Sequence, residues 1–163
     1  MREIKFRAWE KDEREMLYLD RLPDEVVAII NKEGCIQLVA EGRDCCVTGT
    51  QYYDVDCELM QFTGLKDKNG VDIYEDDIVI QNAYWCVQDH YGYSEPEGDL
   101  DYKGCVSMTP SKGAVINSAS VRNNFLEEAV FLIHPHSVSM VASRCKVIGN
   151  IHENPELLEN KDD

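Results

Sequence analysis

The chain predicts a mainly β fold, a β-rich α+β protein in which strands outnumber helices. Three observations carry this. Leu59 to Leu65 and Ile73 to Val79 are rich in β-branched and aromatic residues and flank Gly64 and Asn69-Gly70, the turn chemistry of a hairpin. Ile4, Phe6 and Ala8, and again Val138, Met140 and Ala142, alternate with polar or outward positions at the period of a half-buried strand. Short apolar runs are repeatedly separated by Gly, Pro, Asn and Asp.

In order, Ile4–Ala8 is a strand, the charged run Glu10–Glu15 turns the chain, and Met16–Leu19 returns beside it. Arg21–Asp24 is a break. Val26–Ile30 and Cys35–Val39 flank Asn31-Lys32-Glu33-Gly34 as a second hairpin; Asp24 could cap a helix there, but consecutive β-branched residues favour strand. Periodicity lapses over Arg43–Glu58, with Gln51–Val55 a short strand at most. Ile78–Gln81 is a strand, and Ala83–Val87 is expected as its neighbour. Residues 89–104, with Gly, Pro, tyrosines and acids, read as a mobile acidic loop insertion. Cys105–Met108 and Ala114–Ile116 flank Thr109–Gly113 as a further hairpin. Val121–Ala129 leans to a short helix or turn before a strand, and Val147, Ile148 and Ile151 close the sheet. Asn154-Pro155-Glu156 reads as a helix start, with Asn at the cap and Pro at the first position.

At 163 residues the chain can bury one good core or two small ones. Hydrophobic and charged shares of 44% and 29% suit a globular protein, and no apolar run reaches the roughly 18 residues of a membrane span. Residues 1–7 alternate charge with apolar side chains, so no secretory signal and no membrane role are expected. A net charge of −15 weighs against general nucleic-acid binding, because phosphate needs a clustered positive surface. Lys66 and Lys68 flank Asp67, and Glu3 interrupts Arg2, Lys5 and Arg7, so neither group makes a basic stripe. An acidic surface can mimic a phosphate backbone, but ordinary solvation explains it more simply. Seven cysteines, an odd number without a secretory signal, imply reduced thiols in a cytoplasm, several of them filling apolar strands as small hydrophobes.

The segments Arg2–Lys11, Leu59–Val79 and Lys146–Leu158 together resemble the YopX-like family of phage and prophage proteins. The residues that carry the likeness are Thr63, Gly64, Leu65, Asp67, Asn69, Gly70, Tyr74, Glu75, Asp77, Ile148, Gly149, Asn150, Asn154 and Pro155. One departure stands out: Asp76 occupies a position where glycine is expected, which puts in doubt any role needing bare backbone there. The resemblance implies N-terminal β-hairpins (residues 1–57) packed beside a C-terminal SH3-like small β-barrel (residues 58–163) with a short C-terminal helix, two regions that could equally form one integrated unit. It implies no biochemical activity.

Each candidate chemistry has a plainer explanation. His134 and His136 flank Pro135 and, in an extended chain, share a face, yet zinc needs further ligands, and adjacent Cys45 and Cys46 point opposite ways. No nucleophile elbow or phosphate loop occurs; Ser118, Ser120, Ser137 and Ser139 read as the polar face of a sheet, and nothing pairs a cysteine with His90 or His152. Glu75, Asp76 and Asp77 form the sharpest acidic cluster, with Asp77 expected to hydrogen-bond its turn and Glu75 to face solvent. Abundant Tyr and Trp suit interface anchors as well as a core: the Tyr84–Tyr102 group divides evenly between the two, and Trp9 leans to the core. No catalytic residue and no cofactor are nominated. The expectation is a non-enzymatic phage or prophage accessory protein of the bacterial host cytoplasm, acting by protein association, as a homo-oligomer and with an unidentified protein partner. The alternatives are a nucleic-acid-related role, by acidic mimicry or a local binding surface, and a small hydrolase or metal enzyme.

Overall fold

A computed structural model describes residues 3–31, 35–44, 47–88, 94–123, 132–133 and 138–158. The chain divides into two units, Met1–Phe62 and Thr63–Asp163. It is mainly β, with antiparallel pairing throughout the described ladders.

In the first unit β1 (Phe6–Glu10) and β2 (Glu15–Tyr18) form the expected hairpin, Trp9 opposite Met16, with Arg14 in the left-handed region at φ 57°. Trp9 is half-buried rather than core. β3 (Val26–Ile30), β4 (Ile36–Asp44) and β5 (Val47–Val55) make a three-stranded sheet. Asn31 closes the β3–β4 turn, its side chain accepting from the Cys35 N–H at 2.9 Å. Cys35 itself is exposed at the mouth of that turn, so it does not fill space as expected, whereas Cys145 is fully buried. The lapse in periodicity after Arg43 hides a continuous β4–β5 hairpin, paired from Ile36–Val55 to Asp44–Val47. Backbone ladders form without apolar alternation, which only reports a buried face. β6 (Cys57–Lys66) pairs β1 through Cys57–Gln61 and has β7 (Asp72–Tyr74) as its other neighbour. Among the described residues of the first unit, Ala8, Ile36, Met60 and Phe62 are the buried apolar ones.

The second unit holds β7, β8 (Asp77–Gln88), β9 (Ser94–Thr109), β10 (Gly113–Asn123), β11 (Leu132–Ile133), β12 (Val138–Ser139) and β13 (Cys145–Asn150). Their sheet order is β11-β10-β9-β8-β13, with β12 also on β10. Ile73, Val79, Val106, Ile116 and Cys145 form its core, with Tyr102, Val138, Met140, Ala142 and Val147 packed on it.

Four expectations are corrected here. Ala83–Val87 continues β8 instead of forming a neighbouring strand. Residues 94–104 of the expected loop are strand, pairing β8 from Gln88–Ser94 onward, while 89–93 lie outside the described residues. Pro96 is tolerated because the register shifts between Trp85 and Cys86, the kind of irregularity that accommodates a missing donor. Residues 121–123 are strand, not helix; 124–131 lie outside the described residues. The C-terminal helix is a single 3-10 turn, Pro155–Leu157, and Asn154 makes no side-chain cap.

Candidate functional site

The residues that carry the family likeness gather around three turns of the second unit. Asp67, 5% exposed, is the hub of the first. One carboxylate oxygen accepts from the N–H groups of Asn69 (2.7 Å) and Val71 (3.0 Å), and the other from the Val147 N–H of β13 at 3.1 Å. Lys68 N–H donates to the Cys145 carbonyl at 3.0 Å, so the β6–β7 turn is fastened to β13 on both sides of Lys146. Burial pushes the Asp67 carboxyl up, but the donors of Val71, Val147 and Asn69 outweigh it and hold the group below its ordinary value of 3.8. Thr63 Oγ donates to the Ile73 carbonyl at 2.7 Å, and Gly64 and Gly70 sit at φ 80° and 84°, a region open to glycine. Leu65 is partly exposed.

The second turn joins β7 to β8. Tyr74 N–H donates to the fully buried Asp77 carboxylate at 2.8 Å, so Asp77 holds its turn as expected. Asp76 takes the left-handed conformation at φ 64°, where the family-like pattern called for glycine. Its N–H donates to the Val106 carbonyl and its carbonyl accepts from Ile151, both at 3.0 Å. Glu75 does not face solvent: its carboxylate accepts from the Met108 N–H at 3.3 Å and it is only partly exposed, because β9 runs alongside.

In the third turn the Asn150 side chain, 4% exposed, accepts from the N–H groups of His152 (3.0 Å) and Glu153 (2.8 Å). Gly149 is required by close approach: a Cβ there would run into the Asn154 side-chain oxygen and come within 3.0 Å of Leu157. Asn154 therefore covers β13 instead of capping. Pro155 opens the 3-10 turn that follows, and Ile148, half-buried, lines a groove beside β13.

These turns bring together a cluster that no local pattern announced. The Asp76 carboxylate lies 3.9 Å from Cys105 Sγ on one side and 3.9 Å from His152 Nε2 on the other. The order is wrong for nucleophile activation, because the carboxylate rather than the imidazole faces the sulfur. Burial, then the charges of Asp76 and Asp77, push the Cys105 thiol up to about 12, so the thiolate is disfavoured. Burial likewise raises Cys145 to about 11. Among the described residues no three His, Cys, Asp or Glu side chains form a metal site. His134, His136, Cys45, Cys46, His90 and Ser137 lie outside the described residues; Ser139 is exposed.

Two surfaces remain. On the β3-β4-β5 sheet, Val27, Val39 and Tyr52 are cross-strand partners and share a face with Ile29, and Val27, Ile29 and Tyr52 are 59%, 47% and 62% exposed. In the second unit, Lys68, Arg144 and Lys146 converge with Asp101 on a groove of about 460 Å³. The sequence separated these cations; the Lys68–Cys145 hydrogen bond and the β13–β8 register bring them together.

The architecture is that of a mainly β protein, antiparallel in every described ladder, with Asp67, Asp77 and Asn150 building its turns. The chain matches the family described as YopX protein over residues 5–159 and belongs to it. Among solved structures, it is similar to protein EF1440 from Enterococcus faecalis at 26% identity, over 98% of this chain and 100% of that one, with a TM-score of 0.49. It is also similar to YopX from Bacillus subtilis at 19% identity, over 96% of each chain, with a TM-score of 0.43. No curated protein matches.

Proposed function

We propose that this chain is a non-enzymatic phage- or prophage-encoded accessory protein that acts in the host cytoplasm by protein association, first of all with a second copy of itself. The observation that carries the reading is strand β3. It is an edge of its sheet, and its sequence Val26-Val27-Ala28-Ile29-Ile30 contains no charge and no proline. Natural edge strands are blunted by such residues, because open N–H and C=O groups template pairing with another chain. This one instead exposes Val27, Ile29 and Ile30, and a groove of about 420 Å³, lined by Ile4, Leu19 and Leu22 together with Lys5 and Asp20, runs beside it.

A second copy is the occupant the charge favours. Each chain carries −15, so two copies repel except where an uncharged surface lets them meet at low electrostatic cost. An antiparallel β3–β3 contact about a twofold axis is self-complementary and would extend the sheet to six strands. A non-enzymatic role is supported by the way the signature acids Asp67 and Asp77 are engaged by backbone donors and by the disfavoured Cys105 thiolate. The curled order β13-β8-β9-β10, with the Asp67–Lys68 turn bonded to β13, supports reading the second unit as an SH3-like small barrel.

Light scattering coupled to size exclusion tests the association. The expected result is a dimer that becomes a monomer in the Val27→Lys/Ile29→Lys variant. A native chain that elutes as a monomer throughout the micromolar range overturns the reading.

A further inference from the structure

We propose that the groove bounded by Lys68, Arg144 and Lys146 is a docking site for an extended, acidic segment of a partner protein with apolar side chains interleaved among its carboxylates. Among the described residues three cations and one acid, Asp101, line the groove, a local excess of two positive charges on a chain whose total is −15. Lys103 adds to this face from β9. It lies directly opposite Ile80, as Lys146 does from the other neighbouring strand, so both ammonium groups flank the same apolar residue. Such an arrangement is improbable on so acidic a surface unless the fold holds it together, and the fold does: Asp67 and Lys68 anchor their turn to β13 at Val147 and Cys145.

The floor of the groove discriminates between anions. It is formed by Ile80 and Ile148, both only partly buried, so it offers apolar contact between the cations. A free phosphate would leave that surface uncovered. A nucleic-acid strand needs aromatic faces for its bases, and among the described residues none lines this groove; the ring of Tyr102 packs against the core instead. The negative field of the whole chain also repels a long polyanion more than a short acidic peptide. An alternation of acid and apolar side chains meets both the rim and the floor. Asn82, whose side-chain amide donates to Asp101 at 3.3 Å, keeps the lone acid of the groove engaged and less repulsive to an incoming carboxylate.

The test uses fluorescence anisotropy with the full chain and a fluorescein-labelled octapeptide of alternating Glu and Leu. An otherwise identical Gln–Leu peptide and an oligothymidylate serve as the other probes. The acidic peptide is expected to bind at low ionic strength and to weaken steadily with salt, as exposed ion pairs do. Arg144→Glu/Lys146→Glu should weaken it roughly tenfold, and Arg144→Gln/Lys146→Gln by a smaller factor. All four changes fall on exposed positions. Val27→Lys/Ile29→Lys should leave it unchanged, which separates this site from self-association. Equal binding of the Gln–Leu peptide, an affinity indifferent to both groove variants, tighter binding of the oligothymidylate in the groove, or no binding of the acidic peptide at low salt would each overturn the proposal.

Discussion

The Asp67 turn of the second unit and the β3-β4-β5 face of the first use their side chains in opposite ways. Around Asp67, polar groups are buried and engaged: one carboxylate accepts three backbone N–H groups, two from its own turn and one from a strand 80 residues on. On the sheet face, apolar groups are exposed, and a polar pair facing the same way, Gln37 to Asp54 at 2.8 Å, is solvated. The first region holds the fold together. The second leaves Val27, Ile29 and Tyr52 largely exposed. The residues on which the resemblance was read are therefore concentrated where the chain turns, and the roles they show here are structural.

The largest effect expected is at the hub. Asp67→Ala orphans three backbone donors, two of them within the turn, and should cost about 3 kcal/mol in urea denaturation. A loss near zero would remove the contrast between the two regions. The same carboxylate predicts an acid dependence. Its folded pKa is depressed, so the stabilisation is complete above the ordinary carboxyl value of 3.8 and disappears as pH falls from there through the folded value. Asp67→Asn should flatten the stability–pH curve in that acidic window, leaving the slope at neutral pH as it was.

Gly149→Ala should be next, at roughly 2 kcal/mol, since the new methyl meets the Asn154 side chain over β13. Adding Asn154→Ala should recover part of the loss, and a double-mutant cycle showing no coupling would mean that the close approach is unimportant. Asp76→Gly should move the other way, stabilising by about 1 kcal/mol, because glycine takes φ 64° without strain. The same change should raise Cys105 reactivity toward thiol reagents, since a charge that suppresses its thiolate is gone. Smallest in stability is Val27→Lys, at under about 0.5 kcal/mol for so exposed a side chain. Its consequence should appear instead as a loss of self-association, and a large stability cost would show that the face is core after all.

Much of the strand and turn pattern was legible in the chain. The Asn69-Gly70 and Thr109–Gly113 turns and the β-branched run Val26–Ile30 reappear between paired strands, because each depends on residues within a few positions of one another; the first strand is also present, but its expected alternation is not, since Arg7 is buried beside Ala8 and Ile4 is exposed. Asp77 was legible for the same reason, bonding three residues back to Tyr74. Local pattern misled where backbone pairing proceeds without it. Residues 94–104, rich in Gly and acids, read as a loop yet form a ribbon with β8, and the polar stretch after Arg43 joins a hairpin.

By itself, then, the sequence determined the β class, the turns and the family, since turn geometry and strand periodicity are short-range properties of the covalent chain. The tertiary structure alone decided which distant side chains meet. Asp76 between Cys105 and His152, and three cations around Ile80 and Ile148 on a chain of −15, follow from strand register and from the turn fastened to β13. Register is set by cooperative burial and pairing across the whole sheet, and no window of sequence contains it.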